Sequence, residues 1–350
     1  YAELTAVKRP QTPQPPFAYE AIDVVVDHRA ASLQLAGTLT VPPGDGPHPV
    51  VLLVTGSGAQ DRDETIFGHK PFLVLADHLA KHGIAALRLD DRGVGGSGGD
   101  PKTSTTADFV GDALAAVAFL RTRPRLDPAR IGIIGHSEGA IVAPAAAAAD
   151  GHIAFVVMLA GSGVPGSEIL LDQSETFARA AGKSDAEVAQ MLDLQRKLFA
   201  AVRSTSDDAQ LRATLRPLLA EQPGVDAKAV DAELEVLLSP WYRHFVAYDP
   251  GTALRKLETP VLVLNGELDR QVDAELNVPA IVKALKKAGN RRVTVHRLPG
   301  INHLFQRAKT GMVDEYGTIE ETIAPEVLAL VSDWILATAK PLKGRSRPRS

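Results

Sequence analysis

The chain has 350 residues, 45% of them hydrophobic and 23% charged, with a formal net charge of −4. That balance lacks the basic surface that nucleic acids and anionic membranes require, so neither is an expected partner. The absence of cysteine removes disulfide scaffolds, thiolate nucleophiles and cysteine-ligated zinc.

Residues 8–16 are rich in proline and read as part of an extended lead-in covering residues 1–19. Val24–Asp27 and Gln34–Thr40 have the pattern of a hairpin. Val50–Thr55 is a continuous β-branched and aliphatic run, as expected of a strand buried on both faces. Pro71–His82 has helical periodicity, Ile84–Leu89 is the next strand, and Asp108–Leu120 is a helix with Phe109, Ala113 and Val117 on one face. Ile131–Ile134 is a short strand leading into an alanine-rich helical stretch, 139–149, where Pro144 predicts a kink or break. Ile153–Ala160, Val261–Asn265 and Arg292–Arg297 complete the strands, and Ile323–Ala337 is a closing helix. Apolar runs all fall short of the roughly 18–20 residues that span a bilayer, so no transmembrane segment is expected.

Alternating β and α elements imply a mostly parallel, doubly wound sheet. Residues 164–250 break the alternation with four helical patterns, Ser167–Ala180, Asp185–Val202, Asp207–Glu221 and Asp226–Leu238. They read as a helical cap inserted over the carboxyl edge of the sheet, where open α/β folds bind ligands. The core is thereby divided into 20–163 and 251–339, and 340–350 is a solvated basic tail. The chain begins at Tyr1 rather than methionine, which favours a trimmed export signal and a periplasmic or secreted location over a cytoplasmic one.

Two segments match Gly-x-Ser-x-Gly: Gly95–Gly99 around Ser97, and Gly135-His136-Ser137-Glu138-Gly139. The second comes after a buried strand and opens a helix, the strand–turn–helix context that presents a nucleophile. Ser137 is therefore the candidate nucleophile, and Ser97 a structural loop residue. A serine hydroxyl needs a base, and His303, just after the last strand, is placed to project over the carboxyl edge. The carboxylate that orients it is Asp269, after the strand Val261–Asn265, with Glu267 as the alternative. For the oxyanion hole the expected donors are the backbone N–H of Glu138 and that of Ser57, with Gly58 or Ala59 as alternatives to Ser57. Gly58, Gln60 and His136 are further candidates for lining the substrate pocket. No metal site is expected, because no His and carboxylate cluster has ligand spacing.

Several segments then carry a resemblance: Val54–Asp63, Asp90–Ser97, Gly135–Gly139, Gly266–Asp269 and Asn302–Gln306, in that order. In these the chain resembles bacterial α/β-hydrolase carboxylesterases of the EstD type, related to serine aminopeptidase-like hydrolases. The resemblance implies an α/β-hydrolase fold with a helical cap, hydrolysis of small-molecule esters with short acyl chains, and no cofactor. Oligomeric state is left open. A carboxyl at Glu138 is normal for that group and is expected to turn into a salt bridge. The run Asp61-Arg62-Asp63-Glu64 either lines the entrance or pairs internally. A peptidase using the same triad is the alternative, and it needs a cap carboxylate such as Glu168, Asp172 or Glu175 to hold a substrate amine. A catalytically silent binding protein is the reading from another class, against which stands a candidate for every role.

Overall fold

The computed structural model describes residues 7–221 and 225–340. The elements arise from the sequence pattern. A hairpin, β1 (Glu20–His28) and β2 (Leu33–Val41), precedes β3 (His48–Val54), α1 (Pro71–Lys81), β4 (Ala85–Leu89), α2 (Thr106–Arg121), β5 (Leu126–His136), α3 (Gly139–Ala149) and β6 (Phe155–Leu159). The segment inserted between β6 and β7, the expected cap, consists of α4 (Gly166–Ala180), α5 (Asp185–Ser204), α6 (Asp208–Ala220), α7 (Ala227–Leu238) and α8 (Pro240–Ala247). The second part of the core holds α9 (Gly251–Leu254), β7 (Val261–Gly266), α10 (Ala274–Lys287), β8 (Val293–Leu298), α11 (Val313–Tyr316) and α12 (Pro325–Thr338).

Eight strands form one sheet in the order β1-β2-β4-β3-β5-β6-β7-β8. The six strands from β4 to β8 in that order are parallel, and β2 runs against both its neighbours. Period-two alternation along β3 sends Val50 and Leu52 to one face and Val51 and Leu53 to the other. The first face packs on α2, α3 and α10, through residues such as Val117, Ala143 and Ile281. The second is covered by α1 and α12, through Leu75, Leu79 and Val331. Both faces of the central strands are thus dry, which is why they read as unbroken apolar runs.

Local signals set the helix starts. Thr105 with Asp108, and Ser184 with Glu187, form capping boxes for α2 and α5. Asp207, Asp226 and Asp273 cap α6, α7 and α10 through side-chain oxygens. The cap has its own apolar core of Leu198, Leu211, Leu215, Val230 and Leu234. It rests on the sheet domain where Ile141 of α3 meets Val164, Ile169 and Phe245.

The structure departs from the sequence reading in two places, and adds to it in a third. Helix α3 runs unbroken through Pro144, which is itself buried; a proline removes one intrahelical bond without ending the helix here. Helices α8, α9, α10 and α11 were outside the expected elements. The lead-in is tied down: the Arg9 guanidinium donates to the carbonyls of Phe67, Gly317 and Ile319, each at 2.8 Å. Gln11 Nε2 donates to Ile323 O at 2.7 Å. The expected basic tail lies outside the described residues, except Lys340.

Candidate active site

Strand β5 ends at His136, and α3 begins at Gly139. The chain must therefore reverse direction within two residues, and Ser137 takes φ 54° to do so. Such a conformation is costly for a residue with a side chain and persists where its surroundings enforce it. Here Ser137 N donates to Leu159 O at 2.9 Å, and Ala140 N donates to Ser137 O at 3.0 Å. The flanking glycines are sterically required: a Cβ on Gly135 would lie 1.9 Å from Gly139 O, and one on Gly139 would lie 2.1 Å from Val54 O.

Asp269 and His303 come from the loops after β7 and β8, and the structure brings them together. Asp269 Oδ2 accepts from His303 Nδ1 at 2.8 Å. Its other oxygen accepts from the backbone N–H groups of Gln271 and Val272 at 2.9 and 2.8 Å. The carboxylate, 1% exposed, is thus held on both sides. The alternative, Glu267, turns instead to Arg297 at 3.6 Å. The His303 loop is locked by its own side chains: Asn302 Oδ1 accepts from Leu304 N and Gln306 N at 3.1 and 2.9 Å, and Asn302 Nδ2 donates to Gln306 Oε1 at 2.9 Å.

Ser137 and His303 open onto one cleft of about 240 Å³. Its walls are Gly56, Ser57 and Gln60 from the loop after β3, Glu64, His136, Leu304, and the cap residues Leu170, Gln173, Trp241 and Phe245. No hydrogen bond joins Ser137 Oγ to His303 among the described residues; in unliganded hydrolases this bond is often long and tightens when substrate binds. Gly56 abuts Ser137, for a Cβ there would lie 3.2 Å from Ser137 Cβ. Beside it, the backbone N–H groups of Ser57 and Glu138 have no hydrogen-bond partner among the described residues.

Gln60 and His136 line the cleft as expected, whereas Gly58 is exposed with φ 103° and stands outside its walls. Ser97 donates to Asp90 O at 2.7 Å and accepts from Ala36 N at 2.9 Å, which occupies its hydroxyl in the loop. The Asp61–Glu64 run divides between the two readings: Arg62 binds Asp90 at 2.7 Å and Asp63 pairs with Arg88 and Lys70, while Glu64 lines the cleft. The salt bridge expected of Glu138 does not form. Its carboxylate is buried and accepts from Thr106 Oγ1 at 2.7 Å and from Trp241 Nε1 at 2.9 and 3.0 Å. Burial raises its pKa, against the hydrogen bonds from Thr106, Trp241 and Ser57. Glu138 thereby ties cap helix α8 to α2. Trp241 and Phe245 lie outside the residues that the sequence singles out, and Glu64 enters there only as part of the charge run 61–64. The signal for α8 was Ser239-Pro240, an N-cap serine with proline next to it at the first helical position.

Asp91 lies under the Ser57 loop, accepting from Thr55 Oγ1 at 2.8 Å and from Gln60 N at 3.0 Å. Burial pushes its carboxyl from 3.8 up to about 7. A carboxyl whose folded pKa exceeds its unfolded value holds its proton more tightly when folded, so stability falls as pH rises between the two. The Asp91 contribution to unfolding free energy is thus expected to decline from about pH 4 to about pH 7, so Asp91→Asn is expected to give a more positive slope than the wild type across that range in urea titrations. An unchanged slope in Asp91→Asn contradicts this.

A family model, described as the alpha/beta hydrolase family, matches residues 50–314. The chain belongs to that family. It is 30% identical over 296 residues to the esterase EstD of Thermotoga maritima, covering 83% of this chain and 61% of that protein. The chain thus spans about three fifths of that relative's length. Among solved structures, it resembles the Pyrococcus furiosus esterase Pf2001 with a TM-score of 0.55 and 17% identity, over 96% of this chain and 99% of that one. The alpha/beta hydrolase GrgF from a Penicillium species superposes with a TM-score of 0.56 and 17% identity, over 92% and 99% of the two chains. These likenesses establish the fold. Among the described residues no helix is long and apolar enough to cross a membrane.

Proposed function

We propose that the chain is a serine carboxylesterase that hydrolyses small-molecule esters of short-chain acids through an acyl-enzyme. The observation that carries this reading is the joint geometry of Ser137, in a left-handed turn at the strand–helix junction, and a His303–Asp269 pair opening onto the same cleft. Asp269 fixes the imidazole with its proton on Nδ1, which leaves Nε2 to take the Ser137 proton as the hydroxyl attacks the ester carbonyl. The oxyanion that forms is held by the unpartnered N–H groups of Ser57 and Glu138, the latter at the start of α3 where the helix dipole adds positive potential. His303 then gives its proton to the departing alcohol and activates the water that releases the acid.

The cleft supports a small substrate. Its volume, about 240 Å³, is below the range of pockets that enclose drug-sized ligands. Its apolar wall of Leu170, Trp241 and Phe245 suits a short acyl group. The aminopeptidase alternative draws no support here, because Glu168, Asp172 and Glu175 of α4 stand outside the walls of the cleft. Among the described residues Glu64 is the carboxylate lining it, and its Oε1 is already engaged by Gly56 and His136. The similarity to a protein named as an esterase points the same way.

The test is a profile of kcat/KM over p-nitrophenyl acetate, butyrate and decanoate, with an aminoacyl p-nitroanilide for comparison. Acetate or butyrate is expected to exceed decanoate by about tenfold or more, with the anilide slowest. A preference for the anilide overturns the esterase reading, and an optimum at decanoate overturns the short-chain one.

A further inference from the structure

Glu64 and His136 lie beneath the cleft and have no part in the proton transfers above. His136 has an acceptor at each ring nitrogen. Nε2 meets the main-chain carbonyl of His303 at 2.9 Å, and Nδ1 meets Glu64 Oε1 at 2.9 Å. The same carboxylate oxygen accepts from Gly56 N at 2.7 Å. Both side chains are shielded, 8% exposed for His136 and 5% for Glu64.

We infer that Glu64 and His136 form a buried carboxylate–imidazolium pair that positions two halves of the reaction centre at once, the main chain of His303 and the loop that carries Ser57. The inference rests on the esterase reading for its consequence, not for its geometry. Hydrogen-bond counting puts one proton on Nε2 and a second between Nδ1 and Glu64 Oε1, and the charges around the ring assign that second proton to His136. A carbonyl can only accept, so Nε2 carries a hydrogen. A neutral imidazole has a single N–H and would then face the Glu64 carboxylate with a lone pair; a second proton on Nδ1 satisfies both contacts with charge-assisted bonds. Burial opposes the cation, but the Glu64 charge and hydrogen bond, the His303 carbonyl and the charge of Asp269 outweigh it and raise the His136 pKa.

The pair is held from behind. Glu64 has φ 54°, and its N–H donates to Asp61 O at 2.9 Å. That turn is anchored by Asp61 accepting from Asp63 N and Thr65 N, each at 3.0 Å, and by the ion pairs of Arg62 with Asp90 and of Asp63 with Arg88. The charge run thus fixes the backbone from which Glu64 reaches the site. Strain of this kind is retained where the geometry serves the site.

Glutamine cannot replace Glu64. With Oε1 in place it accepts from Gly56 but leaves an imidazolium without its counter-charge. Neutral His136 then has one hydrogen for two acceptors. With the amide reversed, its NH₂ opposes the Gly56 N–H. Either way one half of the site loses its support.

Wild type, Glu64→Gln, His136→Gln, the double variant and Ser137→Ala are to be compared on p-nitrophenyl butyrate, with circular dichroism to verify folding. Spectra of ¹⁵N-histidine-labelled protein near pH 7 report ring protons. Two ring N–H signals that disappear in His136→Gln are expected in the wild type. Glu64→Gln is expected to lose about 10²-fold in kcat with KM little changed, as for misplacement of reacting groups by about 1 Å. The double variant is expected to be no worse than the poorer single one, because the two residues act as a unit. A single His136 ring N–H overturns the imidazolium assignment even if Glu64→Gln fails to fold. Wild-type kcat in a folded Glu64→Gln overturns the positioning role. Full activity of Ser137→Ala overturns the esterase mechanism instead, so the two failures are distinguishable.

Discussion

Ser137→Ala is expected to lower kcat on p-nitrophenyl butyrate by about 10⁶-fold while leaving the protein folded, with the residual rate coming from the oxyanion hole and substrate binding. The effect is expected to be large because, among the described residues, the cleft's walls offer one other serine hydroxyl, on a different loop. Ser57, the other serine in its walls, belongs to the exposed loop across from the elbow. The fold is expected to tolerate the change, since alanine keeps the backbone bonds to Leu159 O and from Ala140 N and adds no atom. A stability change within about 1 kcal/mol is expected from thermal unfolding. Turnover close to wild type in the folded variant contradicts the assignment of the nucleophile.

Asp269→Asn is expected to lower kcat by about 10⁴-fold with little change in KM. Asparagine can keep Oδ1 as acceptor for Gln271 N and Val272 N, so the loop holds. Its amide nitrogen then replaces Oδ2 at the 2.8 Å contact with His303 Nδ1. Two donors cannot face each other, so the imidazole must present a lone pair at Nδ1 and carry its proton on Nε2. In that tautomer it cannot accept the Ser137 proton, and an imidazolium formed later has no adjacent negative charge. Steady-state kinetics with p-nitrophenyl butyrate check this; an unchanged kcat contradicts the role of Asp269. Glu267 is no substitute, because it is directed to Arg297.

Much of this site is legible in the sequence, for identifiable reasons. The central residues of β3, β5 and β7 are dry on both faces, so Val50–Leu53, Ile131–Ile134 and Val261–Leu264 read as buried runs, and the loops after them hold Ser57, Ser137 and Asp269. Ser137 differs from Ser97 in its setting, with a buried strand before it and a helix directly after it. Pairing between distant segments is the part that the sequence hides. The charge run 61–64 looks like surface until its turn, at a positive φ unusual for glutamate, sends Glu64 under the elbow. A carboxyl at Glu138 suggests a side chain turned away into a salt bridge, but it is buried, and Thr106 and Trp241 supply neutral donors from two other elements. Helix α8, with only eight residues, is too short for its periodicity to stand out. Two cleft-lining aromatics, Trp241 and Phe245, went unseen with it.

The reading turns on whether Ser137 becomes acylated. Incubation with a fluorophosphonate and then peptide mass spectrometry locates the reactive serine directly. One adduct per chain is expected, on the peptide containing Ser137, and none in Ser137→Ala. An adduct on Ser97 or Ser57, or no adduct on a folded and active protein, would contradict it.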